Sequence, residues 1–263
     1  MQAALLCLAA SAILWPSLDA GFIWDDIKQI SESPTIAGAE APSRYFSLNV
    51  VESWGSKGRG GEGVDTYRPL FFIALWSIHH LTGPDPFWFH LAVLLTHLGV
   101  CLLLWLIARR WLDSNLAAAL VFAVFAIHPV TAEAFLWASA ISESMAVAGL
   151  LGAILILDRW CRDDEMRWLA SAGAGLVMLI GLLSKEAVIT ALPVVSIYLW
   201  RVRGVNLRAL SGPWIAVAAF IALRIHALEG LQATGSGSGQ RLDAVRNLPV
   251  LVLDGLRSLL TLQ

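Results

Sequence analysis

Charge is scarce in this sequence and evenly split. Its 263 residues hold 18 Lys+Arg and 20 Asp+Glu, 14% in all, where soluble domains carry about 25%. A formal net charge of −2 leaves no basic excess to meet phosphates, so nucleic acid is not a partner. Cysteine is also rare. Cys7, Cys101 and Cys161 are an odd number and two lie inside apolar runs, which leaves no disulfide framework to read. The spacings H-x-x-x-H, H-E-x-x-H, C-x-x-C and D-x-D are missing, so neither a metal nor another cofactor is expected.

What fills the chain instead is apolar: 57% of residues are hydrophobic and the mean hydropathy is +0.69. That excludes disorder and argues against a soluble single-domain enzyme. The lipid bilayer is the natural solvent. Crossing about 30 Å of hydrocarbon takes about 20 helical residues. Seven runs qualify with some borrowing from their flanks: Ala3 to Leu18, Phe87 to Ala108, Asn115 to Ile127, Met145 to Leu157, Leu169 to Leu183, Val188 to Trp200, and Pro213 to Leu228. The expected fold is therefore all-α, a polytopic membrane protein of about seven spans. Seven of the twelve tryptophans (Trp88, Trp105, Trp111, Trp160, Trp168, Trp200 and Trp214) stand at or near span ends, where amphipathic rings prefer the membrane boundary. The first run lacks the basic n-region of a signal peptide and reads as a retained helix.

Short-loop arginines set the orientation. Arg109 and Arg110, then Arg159, Arg162 and Arg167, then Arg201, Arg203 and Arg208 fall on one side if the spans alternate, and that side is expected to be cytoplasmic. The other side receives residues 21–86, a long first outer loop with a glycine cluster from Gly55 to Gly63, and the linker Gly235–Gly239. Within the loop, Tyr67 to Leu81 reads as a helix lying at the interface, with Arg68–Pro69 at its start. The apolar stretch Leu248–Leu262, interrupted by Asp254 and Arg257, reads as an interface helix or the beginning of missing sequence.

The polar residues that remain sort onto the outer face: Asp25, Asp26, Arg68, His90, His97, His128, Glu133, Glu143, Lys185 and Glu186. Ionisable groups at the edge of a bilayer are costly, and a set opening toward one leaflet points to a cavity. Asp25–Asp26 follows Phe22–Ile23–Trp24 where the first span emerges. Two adjacent carboxylates there can divide the work of a general base and its orienting neighbour, or can simply cap a helix. Arg68 and Lys185 suit an anionic head group, the guanidinium by bidentate bonding and the ammonium as a point charge. Lys185 beside Glu186 is equally placed for an internal salt bridge. His90 and His97, seven residues apart, share a helical face to within about 20°, too far apart to hold one ion. They either reach substrate or pack between helices, His97 more naturally the latter.

In order, the motifs Phe22–Ile–Trp–Asp–Asp26, Ser33–Pro34, Trp54–Gly55, Tyr67–Arg–Pro–Leu70, Gly83, Pro86–Phe–Trp–Phe–His90, His97, His128–Pro–Val130, Glu133–Ala134 and Lys185–Glu186 resemble the membrane region of the transmembrane and tetratricopeptide-repeat O-mannosyltransferases and their bacterial relatives. Those belong to the GT-C class of membrane glycosyltransferases. The resemblance, running from Gly21 to about Trp200, implies transfer of a sugar, with mannose the family's, from a polyprenyl-phosphate carrier to an acceptor hydroxyl. Transfer would proceed with inversion, on the periplasmic or lumenal face, to a protein, lipid or glycan acceptor. It implies Asp25 or Asp26 as base and Arg68 and Lys185 as stabilisers of the departing phosphate. His90, His128, Glu133, Glu143 and Glu186 are then substrate-facing. It also implies one GT-C-like domain over residues 1–263, continuing beyond them. Two departures weigh against it. Ile141 stands where the family usually has a basic residue, and Val93 where it usually has asparagine. Ile141, together with the early end of the sequence, favours a different reading, a non-catalytic lipid-sugar-binding or scaffold protein descended from an enzyme.

Overall fold

The structure is a computed structural model that describes residues 2–38, 41–47, 67–161 and 166–233, with side chains placed as far as Ala227 in the last of these stretches. All regular structure among the described residues is helical. Eight helices organise it: α1 (Gln2–Leu14), α2 (Pro69–Thr82), α3 (Pro86–Trp111), α4 (Asn115–Ile127), α5 (Ile141–Trp160), α6 (Arg167–Ser184), α7 (Leu192–Arg201) and α8 (Ser211–Ala233), joined by short 3-10 and one-turn segments.

Their limits follow from local chemistry. Pro69 and Pro86 occupy first-turn positions, where a missing N–H costs nothing. The Asp85 carboxylate accepts from Phe87 N–H at 3.0 Å, and Ser114 Oγ accepts from Ala117 N–H at 3.2 Å to start α4. Gly83, at φ +80°, ends α2 in a conformation that a side chain would strain. The helix read over Tyr67–Leu81 is thus α2, displaced by its proline to begin at Pro69. The glycine cluster Gly55–Gly63, Trp54, Arg162, the Gly235–Gly239 linker and Leu248–Leu262 lie outside the described residues.

Five segments are long and apolar enough to cross a bilayer: Gln2–Asp19, Pro86–Trp111, Ala138–Trp160, Arg167–Ser184 and Leu207–Ala227. Large apolar side chains point outward along them, among them Leu8, Leu176, Ile180 and Ile215, each at least 44% exposed. A water-soluble surface does not present such bands, and the protein is an integral membrane protein. The other two expected spans are shorter as α-helices. His128–Pro129 halts α4 after 13 residues, and the approach to α7 is a 3-10 turn, Glu186–Ala191, leaving α7 itself with 10.

Helix α3 is shared by three packed clusters. Its Leu94, Leu98 and Cys101 join Leu14 of α1 and Phe122 of α4. Its Phe89 and Val93 join Phe72 and Leu75 of α2, together with Ile30, Ile36 and Tyr45 of the outer segment. Its Ile107 reaches the largest cluster, built mainly from α5, α6 and α8. Helices α5 and α6 touch backbone to backbone: a Cβ on Gly149 would stand 2.7 Å from Gly181 Cα.

At one end of the bundle Asp158, on the last turn of α5, binds two arginines that the sequence places in different loops. Arg110 Nε and Arg203 Nε each donate to it at 2.7 Å. Asp158 is 2% exposed, so this is a buried charge made tolerable by two partners. The same contacts bring the ends of α3, α5 and α7 together, as the pattern of short-loop arginines requires.

Candidate active site

The polar residues singled out by sequence gather at the opposite end, around the start of α5 and the turn after α6. The chain leaving α1 makes a tight turn in which Trp24 adopts φ +49°, a left-handed conformation costing roughly 1–2 kcal/mol in a residue with a side chain. Trp24 also meets the Trp137 ring edge-on at 6.0 Å. The turn separates the two acids. Asp26 is fully buried, and its Oδ1 accepts from Ser139 N–H at 2.8 Å and from Ser139 Oγ–H at 2.6 Å. Its Oδ2 accepts from Ile23 N–H at 3.3 Å. Asp25 is exposed. One carboxylate therefore accepts three hydrogen bonds inside the protein and the other is presented to the surroundings.

A run of ion pairs continues from there. Glu143, in the first turn of α5, pairs with Lys185, the residue that ends α6. Next to Lys185, Glu186 takes a two-pronged bond from Arg68, Nε at 3.0 Å and Nη2 at 2.9 Å. Both members of the Arg68 pair are about three-quarters covered, with side-chain exposures of 20% and 25%. Burial pushes the Glu186 carboxyl up. The Arg68 bonds and charge, helped by Arg224, outweigh it and hold the group below its ordinary value. The pairing leaves donors to spare: three N–H on Arg68 and two on Lys185. Tyr67, ahead of Arg68, is buried against Phe220 of α8 and anchors this corner.

The remaining candidates divide. His90 is fully buried and neither ring nitrogen has a partner among the described residues. His97 is buried too, with Nε2 3.1 Å from Ala126 O and its ring stacked on Phe125, a helix-packing role. His128 is exposed; its Nδ1 accepts from Val130 N–H at 3.1 Å and caps the 3-10 turn that follows α4. Glu133 is exposed and bonds no described residue. Glu133 lies in the one-turn helix Glu133–Leu136 and Glu143 in α5, and of the two Glu143 alone enters the ion-pair run. Among the described residues no group of His, Cys, Asp and Glu is arranged to hold a metal.

Two contributors escaped the sequence reading. Ser139, which holds Asp26, sits in an unremarked Ala–Ser–Ala stretch with no local signal. Arg224 was legible, being a lone cation inside an apolar helix, where charge demands a partner.

The fold defines an integral membrane protein that gathers charged, partly buried residues at the end opposite Asp158. Similar proteins follow that description. The chain is 30% identical over 201 residues to the protein O-mannosyl-transferase Tmtc2 of Drosophila melanogaster, 74% of this chain and 21% of that protein. It is 27% identical over 218 residues to Drosophila Tmtc3, 73% and 23%, and 30% identical over 156 residues to human TMTC1, 59% and 16%. The resemblance read from the motifs is thus matched by curated relatives. The chain spans about a fifth of the length of the two Drosophila proteins. No family model matches it, and no solved structure does.

Proposed function

We propose that this chain is the membrane region of a glycosyltransferase that moves a sugar, mannose by analogy with its relatives, from a polyprenyl-phosphate carrier to an acceptor hydroxyl. The single observation that carries the reading is the division of labour at the first outer turn, where a pinned Asp26 fixes the backbone that presents exposed Asp25.

In this reading the Asp25 carboxylate takes the proton of the acceptor hydroxyl as its oxygen attacks the anomeric carbon. The new O–C bond forms on the face opposite the carrier, and the bond from carbon to phosphate oxygen breaks with its electron pair going to the phosphate. The configuration inverts. Arg68 and Lys185, held by Glu186 and Glu143, use their spare N–H donors on the charge that develops there. Protein hydroxyls are the natural acceptor class, because the relatives are named protein O-mannosyl-transferases.

The reaction side is the face opposite the short-loop arginines, periplasmic or lumenal. Continuity supports this. Asp158 ties the ends of α3, α5 and α7 at one level, while Asp26–Ser139 and Glu143–Lys185 tie the start of α5 to the outer turns at the other. The stretch from Ser114 to Ser139, containing α4, and the stretch from Lys185 to Arg203, containing α7, therefore cover the same thickness as α5. In this reading they add two crossings to the five long apolar segments, seven in a GT-C-like arrangement.

The test is transfer of labelled sugar from a panel of polyprenyl-phospho-sugars in membranes holding the complete reading frame, beside Asp25→Asn. Loss of transfer in the variant, with insertion intact, supports the enzyme. A second reading, a non-catalytic carrier-lipid binder, is favoured by one observation, that both cations already have carboxylate partners. Donor binding without transfer from any donor selects it.

A further inference from the structure

Between α6 and α8, at the end of the bundle away from Asp25, runs a groove of about 580 Å³ that takes no part in the proposed reaction. It exists because the two helices meet at small residues. Gly212 N–H donates to Ser171 Oγ at 3.0 Å, and a Cβ on Gly175 would stand 2.7 Å from Gly212 O. Close contact at that point leaves a trough between the diverging outer faces.

The trough is chemically asymmetric. Its mouth holds half-buried Arg167, the first residue of α6, and exposed Arg208, from the 3-10 turn ahead of α8. Trp168 stands 67% exposed at the same level, as an interfacial tryptophan does. Past Ser171 and Ser211, whose hydroxyls lie 3.3 Å apart, the lining is apolar as far as Leu179 on α6 and Ala219 on α8. From Arg167 to Leu179 a helix advances about 18 Å, close to the depth of one leaflet, about 15 Å.

We propose that this groove binds an anionic phospholipid, its phosphate at Arg208 and Arg167 and one acyl chain in the trough. Among the described lining residues the charged ones are Arg167 and Arg208, both at one end, which complements a single anionic head group, and the reach of the trough matches one leaflet rather than the whole bilayer that a packed helix would follow. The inference needs the membrane setting only and is independent of sugar transfer.

Native mass spectrometry of the full chain in detergent, titrated with phosphatidylglycerol and with phosphatidylcholine of identical acyl chains, tests it. The expected result is retention of phosphatidylglycerol at a concentration at least about tenfold lower, with Arg208→Gln and Arg167→Gln each weakening it about fivefold and leaving phosphatidylcholine unchanged. Ala172→Phe, at an exposed position in the groove, is expected to displace both lipids. Equal retention of the two lipids, or retention indifferent to both arginine variants, overturns the proposal. So does efficient crosslinking in membranes between Ala172→Cys and a cysteine placed at Leu251, which would assign the groove to the chain's own later segment.

Discussion

Asp26 and Ser139 lie 113 residues apart, yet a single carboxylate oxygen of Asp26 accepts both the backbone N–H and the hydroxyl of Ser139. The bond pins the turn after α1 to the start of α5. Buried and bonded at both carboxylate oxygens, Asp26 is held as part of the fold, whereas Asp25 is exposed.

The two acids are expected to respond differently to substitution. Asp25→Asn abolishes transfer and leaves thermal stability in detergent unchanged. Asp26→Ala leaves the Ser139 N–H and hydroxyl without an acceptor and costs about 1–3 kcal/mol per orphaned group. Thermal unfolding of the purified variants, read beside transfer, separates the roles; a stable but inactive Asp26→Ala protein together with an active Asp25→Asn protein would reverse them.

Lys185→Ala is expected to raise the apparent KM for the carrier-linked donor by about tenfold, the worth of a charge-assisted hydrogen bond, with the KM for acceptor unaltered. Steady-state kinetics with each substrate varied in turn provides the check. An unchanged donor KM takes Lys185 out of the site and leaves it as the partner of Glu143 alone.

Glu186 gives the fold an acid-side pH dependence. Burial opposes ionisation of its carboxyl, but Arg68 prevails, so the folded value lies below the ordinary one of 4.5. Between the two values the unfolded chain binds more protons, so stability rises with pH across that window. The contribution is complete above about pH 4.5 and is lost as pH falls through the folded value. Comparing thermal unfolding of the parent and Glu186→Gln between about pH 3 and 6 should show this component in the parent only.

At the arginine end, Asp158→Asn is expected to be among the more damaging single changes. It strips the counter-charge from Arg110 and Arg203 at a position 2% exposed, which costs roughly 3–5 kcal/mol in buried pairs. Protease accessibility and unfolding in detergent measure the loss. Arg110→Lys is expected to be milder, because it keeps the charge while giving up the fork geometry.

Gly149→Val is expected to separate α5 from α6, since its side chain would enter the backbone of Gly181 and the carbonyl of Val177, 2.9 Å from the added Cβ. An overpacked helix crossing costs about 1–3 kcal/mol or more. Crosslinking yield between cysteines placed across the two helices reports the separation; an unchanged yield would mean that the crossing relaxes without cost.

Composition and periodicity made the helices legible. Bilayer solvent satisfies no backbone group, so apolar runs of sufficient length have only one regular state to adopt, and each of the seven expected spans falls on described helical segments, α or 3-10. Turn chemistry was equally local: Pro69, Pro86, Ser114 and Gly83 mark boundaries that neighbouring residues impose. Motif order pointed to the right relatives, because an ordered set of short motifs is far more specific than any one of them. Partnership was not legible. That Asp26 is held and Asp25 presented, that Glu143 finds Lys185 and Arg68 finds Glu186, and that Asp158 collects two arginines all depend on contacts 42 to 118 residues apart. A hydrogen bond is directional and short in range, so its partner is chosen by how the helices pack, which no local pattern in the chain encodes. The sequence alone decided that this protein lives in a membrane as helices; the tertiary structure decided which of its few charges are spent on holding it together and which are left to act.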